Sequence, residues 1–368
     1  MNPDRAQAAR AVLGRFHMPR TIRTERLQLG PFDMTHEPAF RRFFASEAAR
    51  YIGGPAGPIL AWRTFASYTG QWFVRGFGMY ALTTRDGEFA GYCGIWFPEN
   101  KPEIELGWGI FPQFQGRGYA TEAARAIRAI AIGQGVPSLV SYIAPENRAS
   151  SAVAKRLGAK MDGTVVLGPH TVEVWRHAVP TPERVPEPAD ILLETNVMPL
   201  SVGSRRLTMA PMREEHFERY AAHEGDETAQ RYAGGVSDRY AAWRKFVAAA
   251  GQWALRGYGM YAVEHDGVFV GRVGLYHPPY WPERELGWHI HVEAQRQGFA
   301  TEAAAAVRAV AVEQGLRRLV SYIHPENVAS LGVARRLGAV DTGRANLPLG
   351  DALRFEHPMT RTTMEAAA

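Results

Sequence analysis

Apolar and polar positions along this chain fall into a short series of strand and helix rhythms. Arg26-Leu27-Gln28-Leu29 alternates and predicts a strand. Ala61 to Arg75 carries Trp62, Phe65, Trp72 and Phe73 at roughly helical spacing and predicts a helix. Gly78–Thr83 and Glu88–Phe97 flank Asp86-Gly87, a hairpin signal. Ile104–Phe111 predicts another strand and Pro112–Ala120 a glycine-containing loop. Thr121–Gln134 predicts a helix with Ala124, Ile127 and Ala131 on one face, ending near Gly133 and Gly135. Leu139–Ile143 follows as a short strand, Arg148–Leu157 as a helix stopped by Gly158, and Val172–Val179 as a closing strand. This order is α+β, with a mixed and largely antiparallel sheet.

The same order then recurs. Glu103-Ile104-Glu105-Leu106-Gly107-Trp108 returns as Glu283-Arg284-Glu285-Leu286-Gly287-Trp288, 180 positions on. Gly118-Tyr119-Ala120-Thr121-Glu122 returns as Gly298-Phe299-Ala300-Thr301-Glu302, and Ser141-Tyr142-Ile143-Ala144-Pro145-Glu146-Asn147 as Ser321-Tyr322-Ile323-His324-Pro325-Glu326-Asn327. Upstream, Gly76-Phe77-Gly78-Met79-Tyr80 matches Gly257-Tyr258-Gly259-Met260-Tyr261, one position further off, with the extra residue in the hairpin turn. A period this long is a duplicated domain rather than a solenoid. The segment Val179–Pro188 holds four prolines and no apolar rhythm, as a stiff linker does. The expected organisation is an N-terminal arm or helix over 1–20, a first domain over 21–178, a linker over 179–200, a second domain over 201–360 and a tail over 361–368.

Composition narrows the class. The chain has 368 residues, 46% hydrophobic and 21% charged, as in soluble globular proteins. No apolar run approaches the length of a membrane span, and the N-terminus lacks the apolar core of a secretory signal. We therefore expect a cytoplasmic protein with no membrane partner. The 42 basic residues face 37 acidic ones without forming a basic block, and arginine greatly outnumbers lysine. That balance suits a small anionic ligand and argues against nucleic acid. The single cysteine, Cys93, lies in an apolar run and reads as a buried strand residue.

The segments Gln115-Gly116-Arg117-Gly118-Tyr119-Ala120-Thr121 and Gln295-Arg296-Gln297-Gly298-Phe299-Ala300-Thr301 each follow a strand and open a helix. Unpaired N–H groups and the helix dipole together make such a turn an anion site suited to a pyrophosphate. Gly118 and Gly298 allow close approach, and Arg117 or Arg296 adds charge. Alone, the pattern is a common helix start. With Glu-Leu-Gly-Trp before it, and Thr-Glu-Ala-Ala, Pro-Glu-Asn-x-x-Ser and Leu-Gly-Ala after it, each half resembles the GNAT acetyltransferases, in their RimJ/RimL-like branch. The opening Thr24-Glu25-Arg26-Leu27 fits that branch too. The resemblance covers about Thr21–Ala178 and Gly203–Met359.

The resemblance implies two tandem domains, each with acetyl-CoA in a cleft where adjacent strands splay apart. The diphosphate would lie on Gln115–Ala120 and Gln295–Ala300, and backbone groups near Ile110 and Ile290 would pair with pantetheine. An amine would attack the thioester directly, so a base must first take its proton. Glu105 and Glu285, inside an apolar strand, are the candidates, because partial burial raises a carboxylate's pKa. The alternative is a strand glutamate paired with an arginine. Glu103 and Glu283 are expected to be nearer the strand end and solvated, able to bind the amine. Ser150 and Ser330 stand where this branch places a donor to the leaving thiolate, with Asn147 and Asn327 three residues earlier. The same residues also fit an ordinary helix cap. Thr121 and Thr301 either bond the pyrophosphate or cap.

The loops Trp96–Pro102 and Tyr276–Pro282 are expected to border the acceptor cleft. Both are rich in aromatics and proline, yet they differ, so the copies are expected to prefer different acceptors. His289 and His291 share a strand face without a third ligand, and no metal site is expected. His36/His216 and His177/His357 match between copies without an evident role. The expected partner is an amine: a small molecule, a peptide or a protein N-terminus. One active copy with a structural partner, or a CoA-binding scaffold without turnover, are the competing readings. A monomer with pseudo-dimeric tandem domains and a homodimer both fit.

Overall fold

The computed structural model describes residues 16–99, 101–178, 197–348 and 350–359. The expected tail, most of the expected linker and residues 1–15 of the expected arm lie outside them. The described residues form two compact units, one on each side of the proline-rich segment.

The first unit runs β1 (Ile22–Arg23), β2 (Leu27–Gly30), α1 (Glu37–Phe44), α2 (Pro58–Arg75), β3 (Met79–Thr84), β4 (Phe89–Trp96), β5 (Glu105–Ile110), α3 (Tyr119–Gly133), β6 (Val140–Ile143), α4 (Arg148–Arg156), β7 (Lys160–Leu167) and β8 (His170–Arg176). Its eight strands lie in the order β1-β2-β3-β4-β5-β6-β8-β7. Every neighbouring pair is antiparallel except β5–β6. The second unit repeats this as β9 (Val202–Gly203), β10 (Thr208–Pro211), α5 (Phe217–Glu224), α6 (Glu227–Gln230), α7 (Arg239–Arg256), β11 (Met260–His265), β12 (Val268–Tyr276), β13 (Glu285–Ile290), α8 (Phe299–Glu313), β14 (Val320–Ile323), α9 (Val328–Arg336), β15 (Val340–Leu347) and β16 (Gly350–Glu356). Here β13–β14 is the parallel pair. The α+β class and the mostly antiparallel sheet are as expected.

The core explains the choice of residues. Ala120, Ala123, Ala124, Ile127 and Ala131 form the buried face of α3, and small side chains let it lie close on Leu106, Cys93 and Ile95. Burying one such isoleucine is worth roughly 1.5–3 kcal/mol. Cys93 is buried as expected, and burial pushes its thiol well up, away from nucleophile chemistry.

Besides β1 and α1 and their second-copy counterparts, which lie outside the predicted elements, three features depart from expectation. First, Phe16 and Met18, assigned to the arm, are buried in the first core. Met18 N–H donates to Gly76 O at 3.1 Å, and the Tyr80 hydroxyl to Pro19 O at 2.6 Å. Met198 and Pro199, assigned to the linker, repeat both contacts with Gly257 and Tyr261. Both domain cores therefore begin earlier than the apolar rhythm indicates. Second, β7 and β15 were not anticipated. They pair along one edge only and are mostly exposed, so they carry no alternation to read. Third, α3 starts at Tyr119, directly after the left-handed Gly118 (φ 82°), which ends the loop two residues before the expected start.

Candidate active site

The site of each copy is built around its one parallel strand pair. β5 and β6 pair only at Glu105↔Val140, and β13 and β14 only at Glu285↔Val320. Beyond that register the strands part. Since Phe111 N–H bonds Ala90 O on β4, alternation turns the main-chain groups of Trp108 and Ile110 toward the gap. The Ile110 carbonyl accepts from Gln115 Nε2 at 2.9 Å, and Ile290 from Gln295 Nε2 at 3.1 Å. Each glutamine side chain thus ties its loop back to the strand end.

The loop beyond the gap leads into α3 or α8, and neither helix start has a side-chain cap. Their first-turn amides are therefore available to an anion. By contrast, α4 and α9 are capped by their own asparagines. Gly116 (φ 75°) and Arg296 (φ 62°) hold the same left-handed turn, which costs a non-glycine residue about 1 kcal/mol. A Cβ at Gly116 would meet nothing, so the space above the loop is open. A clasp supports the turn from behind. Arg26 Nη1 donates to Arg117 O at 2.8 Å, and its Nε to Glu122 at 2.7 Å. Thr24 Oγ1 donates to the same carboxylate at 2.6 Å. Arg206, Gln297, Glu302 and Ser204 repeat the arrangement. The Thr-Glu-Arg-Leu signature thus acquires a role that the sequence alone did not supply. Thr121 and Thr301 make no cap; each accepts from an arginine of the following helix, Arg156 at 3.1 Å and Arg336 at 3.3 Å.

Glu105 and Glu285 stand where the strands part, but in different company. Glu105 is ion-paired with Lys101, and both side chains are 13% exposed. The Lys101 ammonium also lies 4.8 Å from the Tyr142 ring centre. In the second copy Trp281 occupies the place of Lys101. Glu285 accepts from Trp281 Nε1 at 2.8 Å and from Tyr322 N–H at 3.3 Å, with no cationic partner among the described residues. Burial outweighs those two hydrogen bonds and pushes its pKa up to about 7.

Glu103 and Glu283 correct the expectation of solvated, amine-binding carboxylates. Glu103 is buried, forked by Arg176 at 2.7 and 2.9 Å and bonded by Ser138 at 2.7 Å. Glu283 pairs with Arg354 at 2.7 Å and Arg318 at 3.0 Å, and the Arg354 hydrogen bonds hold its carboxyl below the usual range. Both carboxylates are committed to arginines of their own domain.

Asn147 Oδ1 accepts from Ser150 N–H at 3.2 Å, and Asn327 Oδ1 from Ser330 N–H at 3.1 Å, so both asparagines are helix caps. Ser330 Oγ accepts from Trp288 Nε1 at 3.3 Å. Alternation along β13 puts Trp288 and Glu285 on opposite faces. Glu285 and Ser330 thus lie on opposite sides of the sheet, with the gap between. Of the histidines without an assigned role, His177 and His357 lie nearby. Ser141 Oγ donates to Leu106 O at 2.6 Å and sits 3.0 Å from His177 Nε2; Ser321, Leu286 and His357 repeat this at 2.6 and 2.8 Å. Since the hydroxyl proton goes to the carbonyl, His177 donates. Burial keeps both rings neutral, with pKa values lowered to about 4 and about 3.

The face bearing the glutamates differs most. In the first copy Phe43 of α1, Tyr68 of α2 and Tyr92 of β4 form an aromatic wall that Phe40 extends to Phe44, with the Tyr92 ring against Gly109 and Phe111 close by. The corresponding second-copy positions hold His223, Glu224, Ala249, Arg272, His289 and His291. Burial opposes the charge on Glu224, but Arg272 and Lys245, each at 2.7 Å, hold its pKa down to about 2. Burial lowers His223 to about 4 and His291 to about 3. Their nearest ring pair is 5.0 Å between centroids, and no ligand set forms around them among the described residues. Beside Trp281 a cavity of about 490 Å3 is lined by Pro279, Tyr280, Pro282, Asn346, Leu347 and Pro348. Trp281 also lines this cavity, and its Nε1 bonds Glu285. In the first copy, Asn100 of the matching loop lies outside the described residues.

A mixed sheet parted at one parallel pair, with an uncapped helix start beyond the parting, defines an acyltransferase fold of the class the sequence resembles. The sequence profile of the acetyltransferase (GNAT) domain matches residues 26–160 and again 206–340. The chain belongs to the GNAT acetyltransferase family and carries its domain twice. An acetyltransferase from Agrobacterium tumefaciens str. C58 is 39% identical, covering 44% of this chain and 96% of that one, with a TM-score of 0.42. A GNAT-family acetyltransferase from Bacillus anthracis is 21% identical, covering 43% and 96%, with a TM-score of 0.36. The uncharacterized protein YkkB of Bacillus subtilis is 36% identical over 85 residues, 22% of this chain and 49% of YkkB. The chain thus spans about half the length of that curated relative. Acetyl-CoA is the acyl donor of the family, and the uncapped helix starts with open, clasped loops fit its diphosphate. Among the described residues, no helix is long and apolar enough to cross a membrane.

Proposed function

We propose that the protein is an acetyl-CoA-dependent N-acetyltransferase with a site in each copy, acting on primary amines of small molecules, peptides or protein N-termini. Acetyl-CoA supplies an acyl group activated as a thioester. The amides of Gln115–Thr121 and Gln295–Thr301 hold its diphosphate, and the main chain of Trp108–Ile110, with its second-copy counterpart, lines the gap for pantetheine. Glu105 and Glu285 take the proton of the incoming ammonium. Ser150 and Ser330, on the opposite face, donate to the leaving thiolate, and Asn147 and Asn327 fix the helices that carry them.

The observation that carries this reading is Glu285. A carboxyl with a pKa near 7, held by neutral donors where the strands part, is tuned for proton transfer at neutral pH. A scaffold that only bound CoA would gain nothing from a destabilised acid there.

The test is thiol release from acetyl-CoA by the full chain, with and without a panel of amines and peptides, alongside calorimetric titration with CoA. Amine-dependent release that falls at least about a hundredfold in the Glu105→Gln/Glu285→Gln double variant is expected. Binding of CoA without amine-dependent release across the panel would assign the protein to the scaffold class.

A further inference from the structure

Lys101 is where the two copies part company most sharply. Its ammonium contacts the carboxylate of Glu105 and lies 4.8 Å from the centre of the Tyr142 ring. A carboxylate with an aromatic face is the setting expected for the ammonium of an acceptor substrate. The first copy supplies that ammonium from its own chain. In the second copy Trp281 replaces Lys101, Glu285 keeps only neutral donors, and the acceptor must come from outside. Lysine is also scarce: the chain holds four, at 101, 155, 160 and 245. Lys155 and Lys160 are exposed, and Lys245 is tied to Glu224 at 2.7 Å.

We propose that Lys101 is a self-acetylation site of the first copy, with Glu105 as its base. This rests on the N-acetyltransferase reading above. The Lys101 ammonium gives one proton to Glu105. The freed Nζ lone pair forms a bond to the carbonyl carbon of the acetyl thioester, and the carbon–sulfur bond breaks. The thiolate takes the second proton that nitrogen sheds on becoming an amide. The products are Nε-acetyl-Lys101 and CoA thiol, and Glu105 returns its proton to water. The modified side chain is a neutral amide, so Glu105 loses its ion-pair partner and stands as Glu285 does.

The test uses the full chain carrying Glu285→Gln and acetyl-CoA labelled with carbon-13 in the acetyl group, read by peptide mass spectrometry. The label is expected on Lys101 at least about a hundredfold faster than on Lys155 and Lys160, which report uncatalysed acetylation. The rate should not change when the protein is diluted. Glu105→Gln in the otherwise native chain should abolish labelling at 101 while second-copy turnover of added amines continues, which shows that the variant is folded. Should the protein be isolated with Lys101 already acetylated, Glu105→Gln isolated the same way should lack the group; its presence there overturns the proposal. Labelling of Lys101 no faster than Lys155, while the native chain acetylates added amines, overturns it and leaves the N-acetyltransferase reading intact. Failure to bind or use acetyl-CoA at all removes both.

Discussion

Replacing Glu285 with glutamine should make the second copy more stable at high pH while disabling it. The carboxyl pKa is about 7 in the folded chain against 4.5 for an ordinary glutamate. Between those values the folded state binds more protons than the unfolded one, so stability falls as pH rises through that window. The full deficit, present above pH 7, is roughly 3 kcal/mol at about 1.4 kcal/mol per pKa unit. Glutamine keeps the shape and carries no charge, so it removes this term. It also supplies one acceptor where Trp281 Nε1 and Tyr322 N–H need two, which costs about 1–2 kcal/mol at any pH. A measurement at one pH would mix the two effects; their difference between two pH values separates them. From about pH 5.5 to about pH 8.5 the variant should gain about 2 kcal/mol on the native chain, or roughly 4–8 °C in the melting temperature of a domain this size. Hydrogen exchange of peptides from β13 and β14, compared between variant and native chain at each pH, reads the second copy separately from the first. A stability difference that does not change with pH would mean that Glu285 is solvated, and the argument for it as a tuned base would fail.

Further outcomes follow from the same geometry. In a Glu105→Gln background, amine turnover by the second copy should fall about tenfold per pH unit below pH 7, as Glu285 takes up its proton; a flat profile from pH 5 to 8 would exclude it as the base. Arg26→Ala or Arg206→Ala, by releasing the carbonyl of residue 117 or 297, should weaken CoA binding at that copy by about tenfold in calorimetric titration; unchanged affinity would show that the clasp does not shape the loop. Ser141→Ala strands the Leu106 carbonyl and the His177 N–H in the core and should cost the first copy about 2–4 kcal/mol in urea unfolding. Acidification from pH 7 to 5 should loosen the second copy more than the first, because buried neutral His223, His289 and His291 have lowered pKa values and the unfolded chain binds their protons first, and the loss from three such groups exceeds the roughly 2 kcal/mol regained as Glu285 is protonated. Proteolysis that cuts the first copy earlier on acidification would contradict this.

Much of the fold and of the strand–loop–helix segment could be read from the residues, because they depend on local rules. A strand, a left-handed glycine and a helix start form one continuous segment from Glu105 to Gly133, and the spacing alone places its parts. The clasp was not legible, since Arg26 reaches its partners across 91 to 96 positions of chain. Glu103 was misread for a similar reason. Near a strand end it looks solvated, and only the distant Arg176 and Ser138 make it a buried ion pair. Nor could the sequence tell Glu105 from Glu285. Their strands are nearly identical, and the difference comes from the loop residue four places earlier, Lys101 or Trp281, folding back onto the carboxylate.

The pattern of change between the copies separates two kinds of constraint. Around the loop, the helix starts and β6 the pairs are kept: Arg26 with Glu122 and Arg206 with Glu302, Ser141 with His177 and Ser321 with His357, Asn147 and Asn327 as caps. On the glutamate side substitutions come in compensating groups. Tyr92 against Gly109 becomes Arg272 beside His289, and Phe44 becomes the Glu224 that neutralises Arg272. A single such change would strand a buried charge at a cost of several kcal/mol, so the group is stable only when complete. Two copies that drifted without use would not be expected to assemble a satisfied ion pair of that kind while keeping the loop, the clasp and the strand glutamate intact. On the proposed reading, this arrangement serves one donor and two different acceptors, with the first copy's acceptor position filled by its own lysine and the second's left open beside Trp281.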